Sequence, residues 1–337
     1  MIDLFGNKIK VKKPKKKKVK TLQVNSENLV TANGLSGGKS SSYIACHYPA
    51  DYDIFALCCI DDPNANRGKS AIDKKIMQMV NDKLQKYCSD QKEFVATSED
   101  PIILKLMFDL EQHIGREITW LRGLGWEDML RIKKAIPNMD KRFCTTIMKM
   151  IPTYNFIFKY TPMPVKMRIG FRYDEKERKD NFNEFYKMPT RCDIFSSREE
   201  IIEKTKNHII ARSASERVNF GNYYYHVHEN IHWRVGDFPL IDDKVTHFRV
   251  QKYFEDKPLV FPPDSNCQNC FWKDEQQLRK NFETNPSIMN WAAVHEAIMD
   301  NTFKEDNSLL DIRKMGIQED FFFGTGSGCQ SGGFCTS

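Results

Sequence analysis

Residues 29–46, LVTANGLSGGKSSSYIAC, and residues 267–270, CQNC, carry the residue types best suited to chemistry. In the first stretch Gly34, Gly37 and Gly38 allow a tight turn with close backbone approach. Leu29 and Val30 end a short apolar run before it, and Tyr43, Ile44 and Ala45 read as the apolar side of a helix after it. A strand, a glycine turn and a helix start collect unpaired backbone N–H groups at one place, which is an anion site. Lys39 adds charge, and the Ser36, Ser40 and Ser41 hydroxyls add donors, so phosphate is the natural occupant. The spacing is not that of a Walker loop: four residues after Gly34 run directly into Lys39, and the glycine required before the lysine sits one place early. The same composition also makes an ordinary serine- and glycine-rich turn.

The second stretch places Cys267 and Cys270 at a spacing that can bind one metal or form a redox dithiol. Tetrahedral closure needs two more ligands. Cys144 and Cys192, each close to an arginine in sequence, are the candidates. Four sulfurs suit Zn²⁺ or an iron–sulfur cluster, and unconnected thiols are the plain alternative. His226, His228 and His232 have strand spacing that could also face a metal, although Tyr and His alternate in the same way on a half-exposed strand.

The elements that must position these groups alternate. Strands are expected at Tyr52–Ile60, Glu93–Ala96, Ile118–Leu121 and Val165–Phe171, and helices at 70–88, after Ser98–Pro101, and at Glu127–Lys134. Ser98 to Pro101 reads as a helix cap, and Pro152 as an interruption. Further helices are expected at 197–210 and at 274–304, the latter anchored by Leu278, Phe282, Met289, Trp291 and Val294. The alternation predicts a mostly parallel sheet with helices on both faces. Charged residues after Phe171, among them Arg172, Asp174, Glu175 and Arg178, fall where ligands sit in open sheets. Cys58 and Cys59, in FALCCI, read as buried wall, as do Cys46 and Cys88.

Four segments are expected: a basic flexible leader (1–20), a nucleotide-binding α/β domain (21–260), a CxxC loop with C-terminal helices (261–322) and a flexible Gly/Ser/Cys tail (323–337) with Cys329 and Cys335. The net charge of +6 belongs to the leader, which alone carries +8, while the rest carries −2. Such a block stays extended and can hold nucleic acid or serve as a localisation signal. No apolar run is long enough to span a membrane, and ten cysteines without a secretory h-region point to a reduced, cytoplasmic protein.

Taken in order, four islands resemble the phosphoadenosine phosphosulfate reductase family, part of the PP-loop (N-type ATP pyrophosphatase, adenine nucleotide alpha hydrolase-like) group. They are Ser36-Gly-Gly-Lys-Ser-Ser41; Lys141-Arg-Phe-Cys-Thr145 with Lys149 and Pro152; Ile169-Gly-Phe-Arg172 with Asp174, Glu175 and Arg178; and Phe238-Pro-Leu-Ile241 followed by Pro263, Cys267 and Cys270. The resemblance implies an adenine nucleotide, ATP or a relative, across the carboxyl ends of the strands. Ser36, Gly37, Gly38, Lys39, Ser40 and Ser41 would hold phosphate, and Asp61 would lie near the adenosine. Arg172 and Arg178 would face the anionic part of the substrate, Lys149 would be a further positive contact, and Mg²⁺ would clamp the phosphates. A substrate oxygen would attack the α-phosphate, pyrophosphate would leave, and the adenylated group would be open to a sulfur or nitrogen nucleophile. A sulfur donor protein and nucleic acid are the partners implied. Ser40 stands where the pyrophosphatases carry Asp, and the tail holds Gly328-Cys329-Gln and Phe334-Cys335-Thr where the reductases carry Glu-Cys-Gly. A thiol-dependent sulfonucleotide reductase and a non-catalytic nucleotide-binding protein are therefore the two alternatives.

Overall fold

The computed structural model describes residues 28–195, 218–219 and 222–317. The leader, the helix expected at 197–210 and the cysteine-bearing tail lie outside them. In chain order the elements begin β1 (Thr31–Leu35), α1 (Lys39–His47), β2 (Tyr52–Leu57), β3 (Cys59–Ile60), α2 (Lys74–Cys88), β4 (Ala96–Thr97), α3 (Ile102–Ile114), β5 (Ile118–Arg122) and α4 (Trp126–Lys133). A short α5 (Phe143–Thr145) and a π-helical stretch (Thr146–Met150) run into α6 (Ile151–Tyr160), followed by β6 (Val165–Arg168). After it come β7 (Phe185–Phe195), β8 (Val218–Asn219), β9 (Asn222–His232), β10 (Arg234–Asp237), α7 (Pro239–Asp242), α8 (His247–Phe254), α9 (Glu275–Thr284), α10 (Pro286–Met299) and α11 (Leu309–Lys314).

Five strands form one parallel sheet in the order β10-β6-β1-β2-β5. The order counts outward from β1 in both directions. Successive strands β1, β2 and β5 add on one side, and the chain then returns to lay β6 and β10 on the other. This is an α/β fold with a mostly parallel central sheet flanked by helices. Alternate residues of one strand feed different cores, as the pleat requires. Phe55 and Leu57 pack with Tyr43, Ile44, Leu104 and Met107, whereas Ile54 and Ala56 pack with Tyr154, Ile157 and Met167. Burial on both faces explains why the strands read as near-continuous apolar runs.

A third core lies beyond the sheet and joins Cys58, Ile60, Trp126 and Ile147 to Phe271, Leu278, Met289, Trp291 and Leu309. The C-terminal helices thus share their apolar interior with the ends of β2 and α4. A separate antiparallel sheet, β7-β9-β8, is rooted at the amino ends of β6 and β10, where Trp233 accepts from Val165 N (3.0 Å) and donates to Glu184 O (3.2 Å). No helix among the described residues is long and apolar enough to cross a membrane.

Several elements differ from expectation for local reasons. The strand expected at 52–60 divides into β2 and β3, and the one expected at 93–96 shortens to β4. Pro152 does not break its helical run, because the residues before it form the π-helical stretch, in which Ile151 N donates to Thr146 O and the i→i−4 pattern is already interrupted. The helical stretch 274–304 is two helices, α9 and α10, divided at Asn285-Pro286. Val294, expected as an anchor, is exposed. Pro239–Asp242, within FPLIDD, form the short α7.

The most exacting joint in the sheet is Phe55, fully buried and edge-to-face with its cross-strand neighbour Trp120 at 5.1 Å. Phe55→Ala is expected to lower unfolding stability by about 3–5 kcal/mol in a urea titration. A loss below about 1 kcal/mol would mean that this core repacks freely.

Candidate functional site

The strand order reverses between β1 and β6, and the carboxyl ends of those two strands carry the two candidate segments. Such a reversal opens a crevice in a parallel sheet, because the connections leave towards opposite faces. After β1 the chain turns through Gly37 at φ +74°, and a Cβ there would sit 2.6 Å from Ile103 Cγ2. Helix α1 starts at Lys39 with Gly38 as its cap and no side-chain cap bond. Ser41 closes the turn. Its hydroxyl donates to Gly38 O (3.0 Å) and accepts from Ser36 N (3.2 Å). Among the described residues, no protein acceptor meets the backbone N–H groups of Gly37, Gly38, Lys39 or Ser40. Four donors are therefore left for an anion at a helix start.

The chain after β6 passes directly over this turn. A Cβ on Gly170 would lie 3.1 Å from Ser41 N, so the approach is backbone against backbone. Two residues later Arg172 donates through Nη1 to Ser40 Oγ (2.9 Å), pairs through Nη2 with Glu175 (3.1 Å) and contacts Asp174 through Nε (3.3 Å). Arg178 shares Glu175 (3.0 Å) and stacks its guanidinium 4.1 Å from the Phe171 ring centroid. Burial holds the Arg178 pKa below the usual guanidinium value. Sequence reasoning missed His247. Its backbone N–H donates to Asp174 (3.2 Å), and its imidazole pKa is lowered by burial and then by Arg172, with Lys39 also contributing. No local pattern marks it, because a long-range contact brings it here.

Two other expected contacts lie elsewhere. Asp61 is tied to Arg122 (2.7 Å) and Lys92 (3.2 Å), and the backbone N–H groups of Asp61 and Asp62 donate to Glu127 (2.9 and 3.2 Å). Its carboxylate is thus occupied within the protein. Lys149 pairs with the buried Glu99 (2.9 Å), whose other oxygen accepts from Cys58 N (3.4 Å). Burial opposes charge on Lys149, but Cys58, Glu99 and Cys267 outweigh it and hold the ammonium pKa well above the ordinary value.

Lys149 therefore belongs to the cysteines. Cys267 and Cys270 share one turn, with Cys270 N donating to Cys267 O (3.1 Å). Ser98, expected as a cap, instead donates to Cys267 Sγ (3.1 Å) while accepting from Trp126 Nε1 (2.7 Å); the capping bond to Ile102 N comes from Asp100 (3.1 Å). The Ser98 hydroxyl also reaches Cys58 O (3.3 Å), and the neighbouring Cys58 and Cys267 thiols, the first read as wall, shift one another, Cys58 upward and Cys267 downward. Cys144 and Cys270 lie within electrostatic reach of Cys267, and burial pushes their thiols up to about 11 and about 12. Cys192 is carried away on β7, seven residues out from the root of the separate sheet. His226 and His228 occupy β9, where their side chains lie outside the description, and His232 stacks on Phe185.

The thiols and the glycine turn are neighbours. Ser265 Oγ is 2.9 Å from where a Cβ of Gly38 would stand, and Gln268 N donates to Ser98 O (2.6 Å). Arg142, which stacks on Trp272 (5.3 Å), lies within electrostatic reach of Arg178 and also of Cys144 and Cys270. Among the described residues, no three His, Cys, Asp or Glu side chains converge as one metal ion requires.

No family model matches the chain, and neither a curated protein nor a solved structure matches it.

The buried Arg122–Asp61 pair separates structure from binding. Arg122→Met should cost about 1–3 kcal/mol in urea unfolding, because Asp61 loses its buried guanidinium partner and keeps only the exposed Lys92. ATP affinity measured below the unfolding transition should be unchanged. A large affinity loss with normal stability would return Asp61 to the nucleotide site.

Proposed function

We propose that this chain is a PP-loop enzyme that binds ATP, or a related adenine nucleotide, and activates an acceptor by adenylation. The observation that carries the reading is the meeting of two segments at the β1/β6 reversal: the unpartnered amides of Gly37–Ser40 and the Arg172 guanidinium on Ser40. In this reading the turn and Lys39 hold the phosphates. Arg172 and Arg178 stabilise charge that grows on phosphoryl oxygens as the acceptor oxygen attacks the α-phosphorus and pyrophosphate departs. A nucleophile then displaces AMP from the activated acceptor. The nearness of the CxxC loop to the turn favours sulfur as that nucleophile. The carboxylates at this edge, Asp174 and Glu175, are engaged by arginines, so Mg²⁺ would arrive on the phosphates and not in a protein cage. The lysine-rich residues 1–20 fit a nucleic acid as acceptor or as docking surface.

One observation favours a second reading. The Ser40 hydroxyl, at the position where the pyrophosphatases carry Asp, is held by Arg172. A serine there suits a site that binds a sulfonucleotide, which thiols then reduce to sulfite.

The test is calorimetric titration of the full chain with ATP, followed by assays of pyrophosphate and of sulfite. ATP should bind, and Arg172→Lys should weaken it by about tenfold, because the ammonium keeps the charge but loses the fork. Pyrophosphate release on addition of an acceptor nucleic acid supports adenylation. Thioredoxin-dependent sulfite release supports the reductase. No binding of either nucleotide would end both readings.

A further inference from the structure

Away from the glycine turn and the thiols, a cleft of about 420 Å³ opens where three parts of the chain meet. They are residues 70–73 ahead of α2, residues 100–102 at the start of α3, and the Thr284–Asn285 joint between α9 and α10. That volume suits a small organic ligand. Ile72, Ile76 and Ile102 give the cleft an apolar lining.

Two helix starts in one cleft would ordinarily draw an anion. Here the caps have claimed the donors. Asp73 Oδ1 accepts from the backbone N–H groups of Lys75 (2.8 Å) and Ile76 (3.3 Å), and Asp100 Oδ1 accepts from Ile102 N (3.1 Å). Acceptors are what remain. Among the described residues, no donor meets Asp73 Oδ2, and Asp100 Oδ2 receives a long bond from Gln268 Nε2 (3.4 Å). Asn285, in the cleft wall and 4% exposed, donates from Nδ2 to Thr284 Oγ1 (3.3 Å), while no donor among the described residues meets its Oδ1. A nearly buried amide oxygen facing a cleft is left for a donor on a ligand. The ammonium of Lys105, also in the lining, is taken by Asp109 (2.5 Å). Burial holds the Asp100 carboxyl above its usual pKa, and Asp264 adds to this against the Ile102 N–H bond. A cation beside it would relieve that cost.

These groups narrow the ligand. The carboxylates and the amide oxygen call for N–H donors and positive charge, and the isoleucines call for methylenes. A bare metal ion does not meet this need, because among the described residues no three His, Cys, Asp or Glu side chains converge to hold one. An aliphatic chain with ammonium groups along it meets both demands.

We propose that this cleft binds a small aliphatic polyamine, with its methylenes against Ile72, Ile76 and Ile102 and its ammonium groups at Asp73, Asp100 and Asn285. No residue of the β1/β6 crevice lines the cleft, so binding there stands apart from the nucleotide reading. The cleft does back onto the loop beside the glycine turn. Gln268, which reaches Asp100, belongs to the same loop as Ser265, which stands against Gly38.

Calorimetric titration of the full chain with spermidine, in the absence of nucleotide, should show one-to-one binding, and a neutral aliphatic diol of similar length should show none. Asp73→Asn combined with Asp100→Asn should weaken spermidine binding by about tenfold or more. The double variant should stay folded, because asparagine caps a helix as well as aspartate does. Ala71→Trp, at an exposed position in the lining, should block the cleft and weaken binding to a similar degree. It keeps the test open should the double variant fail to fold. No heat of binding with spermidine would overturn the assignment. Binding that neither variant weakens, or that an equal concentration of Mg²⁺ abolishes, would mark spermidine as a diffuse counterion and overturn it equally.

Discussion

Gly170 lies against the backbone of Ser40 and Ser41, and much of the molecule follows from that approach. A Cβ at position 170 would press to 3.1 Å from Ser41 N, so any side chain there would require the start of α1 to give by a few tenths of an ångström. The crossing needs β6 to pair with β1 in parallel, with Thr31 opposite Lys166 and Asn33 opposite Arg168. It delivers Arg172 to the Ser40 hydroxyl, and Arg172 in turn gathers Asp174 and Glu175, which holds Arg178. A single backbone contact thereby brings guanidinium donors, held in place by Asp174 and Glu175, to a helix start whose first amides meet no protein acceptor among the described residues. In a medium of reduced dielectric such an arrangement attracts an anion strongly.

The C-terminal helices are bound to the same edge by a different means. They contribute apolar surface, Leu278, Phe282, Met289 and Trp291, to a core shared with Trp126 and Ile60. Polar stitches then fix the loop between: Gln268 to Ser98, Ser98 to Cys267, and the buried Lys273 to Asp264. The loop that holds Ser265 against Gly38 is therefore the loop that presents Cys267. Movement of the glycine turn on binding a ligand would be felt at the thiols within two residues. That proximity gives physical sense to a chemistry in which an activated group and a sulfur centre must meet.

Local pattern revealed the glycine turn, the alternation of strands and helices, and Arg172 with its acidic neighbours, because each is written in contiguous residues. Cys267 and Cys270 were visible for the same reason. Inside FALCCI the apolar neighbours of Cys58 mark it as core, and it is buried there; that the Ser98 hydroxyl reaches both its carbonyl and Cys267 Sγ depends on contacts 40 and 169 residues apart. Lys149 and Asp61 fall to the nucleotide only through the resemblance of the segments around them. Which carboxylate or guanidinium claims each of them depends on partners 50 and 61 residues away. Cys192 looked suitable beside Arg191, yet the register of β7 against β9 carries it down the separate sheet. Long-range pairing decides these cases, and a linear pattern does not encode it.

Hydrogen–deuterium exchange on the full chain with and without ATP reads the anion cradle most directly. The account predicts that ATP slows exchange at the amides of Gly37, Gly38, Lys39 and Ser40, and at Gly170–Arg172, while the outer strands stay unchanged. Saturating ATP that leaves those amides as fast as in the free protein, or protects only a distant segment, would contradict it.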